Sequence, residues 1–398
     1  MYFPRAVEAK LRRLTRYFPA VVVTGARQSG KTTLLRLCYP DRQYVSMDLP
    51  SRAAQAEGNP GDFLTAFRDP VIIDEVQYAP GLLRHLKVAI DQNRHAMGRY
   101  LLTGSQHFSL MKGVTESLAG RVGVIELENL SLFEIDPQLT MASDRTKLLR
   151  LLARGQFPEL WRLPDFPASD FYGAYLATYL ERDVRQILNV GSLRDFERFI
   201  RVLAARSGNV LNKSDVARDV GVSIKAISDW ISVLQASGQI VLLEPWFANI
   251  GKRVVKTPKV YFCDTGMLCF LLNLTEETLV SSPHLGAVWE TFIYAELRKR
   301  IEVSDHPGTL WFYRDQRARE IDFVVESGGN LSFVEAKWQE HPSLDDARFI
   351  QQLSRELKAK STPERPGRHW VVGTPQVSYP LSDGVMAIGV GGLSEVVP

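Results

Sequence analysis

A glycine-rich segment with one lysine and three threonines occupies residues 21–35, VVVTGARQSGKTTLL. Four residues separate Gly25 from Gly30, Lys31 and Thr32, which is the spacing of a phosphate-binding P-loop. Glycines adopt backbone angles closed to other residues, so loop N–H groups and the start of the next helix can point at a triphosphate. Lys31 would reach the β- and γ-phosphates, and the Thr32 hydroxyl would hold Mg²⁺. The sequence therefore predicts a nucleoside-triphosphate site formed by Gly25, Ala26, Arg27, Gln28, Ser29, Gly30, Lys31, Thr32 and Thr33.

Two adjacent acids and a later polar strand end are the next candidate residues. Asp74 and Glu75 end the apolar run of PVIIDEVQ, and ligands of open α/β sheets lie at the carboxyl ends of strands. We expect Asp74 to hold Mg²⁺, directly or through water, and Glu75 to polarise the attacking water. The strand RYLLTGSQ offers Ser105 as a contact to the γ-phosphate or that water, although a turn residue would have the same pattern. Arg121, in ESLAGRV, is either an arginine finger donated to a neighbouring subunit or a surface arginine.

Short apolar strands alternating with helical segments must position these residues. An amphipathic helix is predicted within residues 1–18, before the strand at 21–24 that enters the glycine loop. Further strands are predicted at QYVSMDL (43–49), PVIIDEV (70–76), RYLLTGS (99–105) and RVGVIELENLS (121–131). This alternation indicates an α/β fold with a parallel sheet and helices on both of its faces.

A second charged group lies in the last third of the chain, within EIDFVVESGGNLSFVEAKW. Asp322 is predicted in one strand of a hairpin that turns at residues 328–329, and Glu335 and Lys337 in the other strand. Residues two apart share a strand face, so Asp322 and Glu335, with Glu290 on the preceding helix, could hold Mg²⁺ for phosphodiester hydrolysis. Lys337 would then stabilise or orient the attacking water. The pattern looks like the D…ExK motif of the restriction-endonuclease-like superfamily. A buried Asp–Lys–Glu network with a purely structural role would have the same pattern.

Residues 212–236 predict two helices separated by a glycine turn. The turn is expected at Gly221, and Ser223 is expected to cap the second helix. A β-ribbon follows, from QIVLLEPW to KVYF, which is the element order of a winged helix. In a DNA reader the second helix enters the major groove, and here it offers Lys225 and Ser228 near its start. Three more cations could contact phosphates from the wing: Lys252, Arg253 and Lys256. A role in internal packing or subunit contacts is the alternative.

Length, composition and charge limit the class of protein. The 398 residues suffice for two or three domains, and 45% hydrophobic with 23% charged residues is typical of a soluble globular protein. No apolar run approaches the roughly 18 residues of a membrane span. The N-terminus lacks the apolar core of a secretion signal, and sparse cysteines suit a reducing compartment, so we expect a cytoplasmic protein without membrane association. Because the net charge is only +3, any nucleic-acid surface would be local.

Several short motifs occur in a fixed order along the chain. The N-terminal ones are YFPR (2–5), TGARQSGKTTLL, IIDEVQ, LLTGSQ and SLAGRV. The later ones are GQFPE (155–159), TYLERDV (178–184), PKVYFCDTGM (258–267), GAVWETFIYAEL (286–297) and EIDFVVE…FVEAKW (320–338). In this order they resemble the P-loop ATPases of the AAA+ superfamily, found in bacteria and archaea, that carry a C-terminal domain of unknown function. The resemblance covers nearly the whole chain and implies an ATP-binding core with an AAA+-like sheet and a nuclease-like C-terminal fold.

We predict four regions along the chain. They are an AAA+-like ATPase core at 1–143, a helical lid at 144–205, a winged-helix domain at 206–280 and a PD-(D/E)xK nuclease-like domain at 281–398. The leading hypothesis is Mg²⁺-dependent ATP hydrolysis that moves the winged-helix and nuclease-like modules, with DNA as a partner. A homo-oligomer is required if Arg121 acts between subunits. Two alternatives stay open: an ATP-bound switch that acts on a protein partner and has an inert C-terminal domain, and an ATP-gated, metal-dependent nuclease.

Overall fold

The computed structural model describes residues 2–104, 114, 117–138, 144–179, 193–246, 256–306, 308–359 and 365–397. The chain divides into two compact units. The first comprises Met1–Leu130 with two short segments from later in the chain, Phe157–Glu159 and Ala236–Gly238. The second comprises the remaining residues from Ser131 onwards.

The first unit contains a five-stranded parallel sheet with the order β2-β3-β4-β1-β5. Its strands are β1 (Ala20–Thr24), β2 (Gln43–Ser46), β3 (Val71–Asp74), β4 (Tyr100–Gly104) and β5 (Val122–Glu126). Its helices include α1 (Glu8–Tyr17), α2 (Lys31–Cys38), α3 (Pro50–Gly58), α4 (Pro60–Ala66) and α5 (Leu82–Gln92). Every residue of β1, β3 and β4 is buried, so both faces of the sheet are covered. The predicted parallel sheet is confirmed, although β2 and β5 end earlier than predicted.

The strand order brings three strand ends to one edge of this sheet. β4 lies between β1 and β3, and all three run in the same direction. The glycine loop, Thr103 and Asp74 therefore lie at the carboxyl edge, where ligands of open α/β sheets bind. α2 begins directly after the loop, and its Leu34 N–H donates to Gly30 O at 2.9 Å. The N–H groups of residues 31–33 precede that first helical hydrogen bond and face the loop.

Helices dominate the chain between its two large sheets. They are α6 (Leu132–Ile135), α7 (Arg145–Arg154), α8 (Pro158–Arg162), α9 (Ala168–Tyr179), α10 (Leu193–Ala204), α11 (Lys213–Val220) and α12 (Ile224–Ala236). The predicted turn and cap between α11 and α12 are confirmed: Gly221 has φ +85°, and Ala226 N–H donates to Ser223 Oγ at 3.1 Å. β6 (Ile240–Leu243) and β7 (Lys259–Phe262) then pair antiparallel. The winged-helix assignment stays a prediction, and two of its wing cations lie outside the described residues: Lys252 and Arg253.

A seven-stranded mixed sheet lies in the second unit, with the order β13-β14-β12-β10-β9-β8 and the short β11 paired with β10. The strands are β8 (Gly308–Arg314), β9 (Glu320–Ser327), β10 (Asn330–Ala336), β11 (Arg365–Pro366), β12 (His369–Val372), β13 (Tyr379–Ser382) and β14 (Val385–Ile388). The helices are α13 (Thr265–Leu271), α14 (Glu276–Leu279), α15 (Leu285–Val303), α16 (Arg348–Ala359) and α17 (Leu393–Val396). The predicted hairpin is confirmed, because β9 and β10 pair antiparallel around Gly328 and Gly329, whose φ values are +57° and +77°.

Two short strands follow the segment WVVG (370–373) at the C-terminus. They are β13 and β14, and β14 pairs in parallel with β12. These later strands have only four residues each, and glycines flank β14. So short a strand gives little alternation from which to predict it. Among the described residues, no helix combines the length and apolar character needed to cross a membrane.

Three of the sequence motifs meet in a buried polar network of the second unit. Asp264 accepts hydrogen bonds from the Tyr172 hydroxyl at 2.6 Å and from the Gln156 backbone N–H at 2.8 Å. The Gln156 amide donates to Glu296 at 2.7 Å and accepts from Lys299 at 2.7 Å. Glu296 and Lys299 lie 3.1 Å apart and are 3% and 8% exposed. Each therefore depends on the other to remain charged away from water.

We predict that Glu296→Leu destabilises the protein by about 3–5 kcal/mol, because the buried Lys299 ammonium loses its counter-charge. The double variant Glu296→Leu/Lys299→Met removes both charges and should recover most of that loss. Urea unfolding followed by tryptophan fluorescence measures the difference. A single variant as stable as the wild type would contradict the role of this ion pair.

Candidate functional site

The glycine loop between β1 and α2 depends on two glycines with positive φ. Gly25 has φ +141° and Gly30 has φ +95°. A Cβ at Gly25 would lie 2.1 Å from Leu127 O, so a larger residue does not fit there. Within the loop, the Ser29 hydroxyl is buried and has no hydrogen-bond partner among the described residues. The loop thus has the shape of a phosphate cradle, with an unsatisfied hydroxyl inside it and helix N–H groups beside it.

Arg5 fixes this loop from the side, a role that sequence reasoning did not assign. Its guanidinium donates to the carbonyl oxygens of Ser29 at 2.9 Å, Glu128 at 2.7 Å and Asn129 at 3.3 Å. Carbonyls on two separate segments suit the rigid fork of a guanidinium. The position of Arg5 in the YFPR motif was the only signal, since its partner Glu128 is 123 residues away.

Lys31 is folded back onto its own loop. Its Nζ donates to Gly25 O at 3.0 Å and to Ala26 O at 2.8 Å, and the residue is 5% exposed. Burial lowers the pKa of Lys31 to about 8, although the nearby Glu75 and Asp74 carboxylates oppose that shift. A charged phosphate makes a stronger hydrogen bond to an ammonium than a neutral carbonyl does. The ammonium can therefore exchange these carbonyls for an anionic ligand.

Hydroxyl groups surround Asp74 at the end of β3. Its carboxylate accepts from Thr32 Oγ1 at 2.8 and 3.1 Å, from the Tyr44 hydroxyl at 2.8 Å and from Thr103 Oγ1. Thr32 is in the first turn of α2, so this contact joins the loop helix to β3. A buried carboxylate beside a hydroxyl offers the oxygen ligands that Mg²⁺ prefers, and these residues fit such an ion. Tyr44 was not assigned from the sequence because its contact depends on the pairing of β2 with β3.

Glu75 follows Asp74 in a left-handed backbone conformation, with φ +55°. This conformation is uncommon for a residue other than glycine and is concentrated at functional sites. The Glu75 N–H donates to Thr103 Oγ1 at 3.0 Å, and its carboxylate accepts from Gln77 Nε2. Thr103 also donates to Asp74, so one hydroxyl at the end of β4 contacts both the Asp74 carboxylate and the Glu75 main chain.

Two predicted residues stand apart from this group. Ser105 lies outside the described residues. Arg121 lies at the amino end of β5, opposite the edge that carries the loop, and its guanidinium donates to Asp91 at 2.6 and 3.0 Å. Within its own chain Arg121 therefore does not reach the loop, and its role at a neighbouring subunit stays a prediction.

The four residues predicted for the C-terminal site are close together in the second unit. Asp322 on β9 accepts a backbone N–H of β10 at 2.9 Å, and Lys337 Nζ lies 2.8 Å from Glu335 Oε1. Glu290 on α15 joins them through Lys259, whose Nζ lies 2.8 Å from Glu290 and 3.7 Å from Asp322. Burial, followed by the Asp322 charge, raises the pKa of Glu290 to about 7 and that of Glu335 to about 8. Sequence reasoning missed Lys259, which opens an ordinary apolar strand.

Comparison with known families matches three segments of the chain. Residues 17–136 match an AAA domain, residues 145–278 a domain of unknown function (DUF8612) and residues 285–393 another domain of unknown function (DUF4143). The parallel sheet with its glycine loop and the AAA match support a P-loop ATPase-like domain in the first unit, as predicted. The C-terminal match carries no restriction-endonuclease-like description.

Two mycobacterial proteins are similar over almost the whole chain. They are "Uncharacterized protein Rv2008c" of Mycobacterium tuberculosis (strain ATCC 25618 / H37Rv) and "Uncharacterized protein Mb2031c" of Mycobacterium bovis (strain ATCC BAA-935 / AF2122/97). Each is 32% identical over 402 residues, which cover 96% of this chain and 83% of the relative. The chain belongs to the family of these proteins.

Two solved structures show partial similarity. The Walker-type ATPase PABY2304 of Pyrococcus abyssi has a TM-score of 0.46 and 16% identity, covering 68% of this chain and 96% of its own. The RuvB Holliday junction branch migration motor of Thermotoga maritima has a TM-score of 0.30 and 17% identity, covering 59% of this chain and 85% of its own.

We predict that ATP affinity falls as the pH rises through the lowered pKa of Lys31. The ammonium form binds phosphate, and with a pKa of about 8 in the free protein it is mostly lost by pH 9. Because affinity scales with the competent fraction, the Kd should be about tenfold weaker at pH 9 than at pH 7. Titration with a fluorescent ATP analogue at both pH values measures this. Lys31→Arg retains its charge at pH 9 and should give a flat profile, whereas an equally flat wild-type profile would contradict the prediction.

Proposed function

We propose that this protein binds ATP with Mg²⁺ and hydrolyses it. The observation that carries the proposal is the convergence of Lys31, Thr32 and Asp74 at the carboxyl edge of the parallel sheet, where Thr32 Oγ1 lies 2.8 Å from Asp74 Oδ1. An ammonium, a hydroxyl and a carboxylate are the groups that P-loop phosphoryl transfer requires. The match to an AAA domain supports the same assignment.

The position of each residue gives its proposed role. Lys31 would leave its own loop carbonyls and pair with the β- and γ-phosphates, while the N–H groups of residues 31–33 cradle them. Thr32 and Asp74 would hold Mg²⁺, which when bound neutralises charge that develops on the phosphates. The Tyr44 hydroxyl, 2.8 Å from Asp74, keeps that carboxylate oriented.

Glu75 is the residue proposed to position and polarise the attacking water. Its left-handed backbone and the hydrogen bond from its N–H to Thr103 fix the main chain at this position, and Gln77 Nε2 donates to its carboxylate. Ser105, which follows the same strand as Thr103, is proposed to sense the γ-phosphate. Arg121 would supply positive charge to the transition state in a neighbouring subunit of a homo-oligomer, which requires it to leave Asp91.

The proposed consequence of turnover is movement of the later modules on DNA. Its support is the element order of α11, α12, β6 and β7, together with the exposed Lys225 at the start of α12. A second candidate function is an ATP-bound switch that acts on a protein partner. The ion pairs between Lys259 and the C-terminal carboxylates favour it, because they suit a recognition module better than a catalyst.

We predict that Glu75→Gln binds ATP as tightly as the wild type but hydrolyses it at least about 100-fold more slowly, because the amide cannot polarise water. Lys31→Ala should lose tight ATP binding. Steady-state phosphate release and binding of a fluorescent ATP analogue measure the two effects. Glu326→Gln, at an exposed glutamate of the second unit, is the matched control and should behave as the wild type.

Each outcome of these assays is decisive for one residue. Wild-type turnover in Glu75→Gln would remove Glu75 from the mechanism, and unchanged affinity in Lys31→Ala would refute the nucleotide site. Repeating the turnover assay with single- and double-stranded DNA separates the two candidate functions. A rate that rises with DNA supports the nucleic-acid role, and a rate indifferent to DNA favours the switch.

A further inference from the structure

The carboxylates of the C-terminal cluster converge on a lysine from outside their own hairpin. Lys259 Nζ lies 2.8 Å from Glu290 Oε1, 2.5 Å from Glu320 Oε1 and 3.7 Å from Asp322 Oδ1. These acids belong to α15 and β9, whereas Lys259 begins β7. The Lys259 side chain is 1% exposed, so its ammonium depends on these acids rather than on water.

More than charge holds this ammonium in place. The Phe312 and Tyr261 ring centroids lie 5.6 and 6.0 Å from Nζ, within the range of a cation–π interaction. The Tyr261 hydroxyl also donates to Glu290 at 2.5 Å. The Lys259 backbone pairs with Leu243 on β6 and forms a bridge with Val210. Strand pairing therefore holds the backbone end of the Lys259 side chain, and the ion pairs and aromatic rings hold its ammonium end.

Two more cations contact acids of the cluster. Lys337 Nζ lies 2.8 Å from Glu335, and Arg314 donates at 2.9 Å to Glu320, which also contacts Lys259. The described cluster thus contains three cations and four carboxylates: Lys259, Lys337 and Arg314, with Glu290, Glu320, Asp322 and Glu335. A dication added to this set would exceed the negative charge available to it.

A divalent cation does not fit beside the Lys259 ammonium. Mg²⁺ binds carboxylate oxygens at about 2.0–2.1 Å, so it would lie within a few Å of Nζ. Like charges at that distance repel by several kcal/mol even at an effective dielectric constant of about 20. In the part of the chain that the structure describes, no three His, Cys, Asp or Glu side chains are arranged to hold a metal ion. The metal site implied by the D…ExK resemblance is thus not matched.

We propose that the Lys259 ammonium occupies the position that the D…ExK resemblance assigns to a divalent cation, and that the cluster is a metal-free ionic lock. The lock ties β7 to α15 and β9, and so joins the ribbon to the seven-stranded sheet. The C-terminal domain then performs no metal-dependent phosphodiester cleavage. Its carboxylates stabilise the fold of the second unit instead.

The test measures Mn²⁺ binding by the full chain from the EPR signal of free Mn²⁺. Every chain in this test carries Asp74→Asn, which removes Mn²⁺ binding at the P-loop. The parent chain should bind no Mn²⁺ at the cluster. Lys259→Met removes the ammonium but keeps an unbranched side chain, so it should gain one Mn²⁺ per chain and melt at a higher temperature with Mn²⁺. Adding Asp322→Asn should abolish that gain. Lys299→Met, at a buried lysine that pairs with Glu296 in a separate network, is the control and should create no Mn²⁺ site.

Two results would overturn the proposal. One is Mn²⁺ bound by the parent chain and lost on Asp322→Asn, and the other is a folded Lys259→Met chain that binds none. If Lys259→Met does not fold, the deciding assay is plasmid nicking in the presence of Mn²⁺. The same background rate of nicking in the parent and in Asp322→Ala supports the lock. Nicking by the parent that is lost in Asp322→Ala refutes it. None of these measurements depends on ATP turnover, so the proposed ATPase is tested separately.

Discussion

A buried charge needs a partner close by, and the nature of that partner decides what each charged site of this protein can do. In the first unit the partners are neutral dipoles. Lys31 is held by two backbone carbonyls, and Asp74 by three hydroxyls. Such dipoles can give way to a phosphate and a metal ion. In the second unit the partner of the carboxylates is the Lys259 ammonium, which is part of the chain and cannot be exchanged. One site is open to a ligand, and the other is filled by the protein itself.

The open site is organised before any ligand arrives. The order β3-β4-β1 places the glycine loop and both acids at one edge of the sheet, and Thr103 on the middle strand bonds to the Asp74 carboxylate and the Glu75 main chain. Two contacts hold the loop: Gly25 lies close to Leu127 O, and Arg5 joins the loop to the segment after β5. A nucleotide therefore need not order the loop, which favours tight binding. Among the described residues of the loop, Lys31 must turn away from its own carbonyls to reach a phosphate.

The sequence predicted those features whose residues lie close together along the chain. The P-loop, the acids at the end of β3 and the hairpin turn at Gly328 and Gly329 each lie within a few residues of the signals that revealed them. Arg5 and Lys259 were missed because their partners are remote in sequence: Glu128 is 123 residues from Arg5, and Glu290 is 31 residues from Lys259. The D…ExK spacing correctly grouped the acids but gave no sign of the lysine between them. The D…ExK motif indicates which acids lie close together, whereas the fold around them determines that Lys259 is the cation they contact.

The first unit thus has a site that a metal ion can occupy with the nucleotide, and the second has a site that Lys259 fills. Counting the Mn²⁺ ions that bind tightly to the unmodified full chain tests both statements. The count is made with and without a non-hydrolysable ATP analogue. The account predicts one Mn²⁺ per chain with the analogue and none without it. A tightly bound Mn²⁺ without nucleotide, or a second one with it, would contradict the filled site. No Mn²⁺ with nucleotide would contradict the open one.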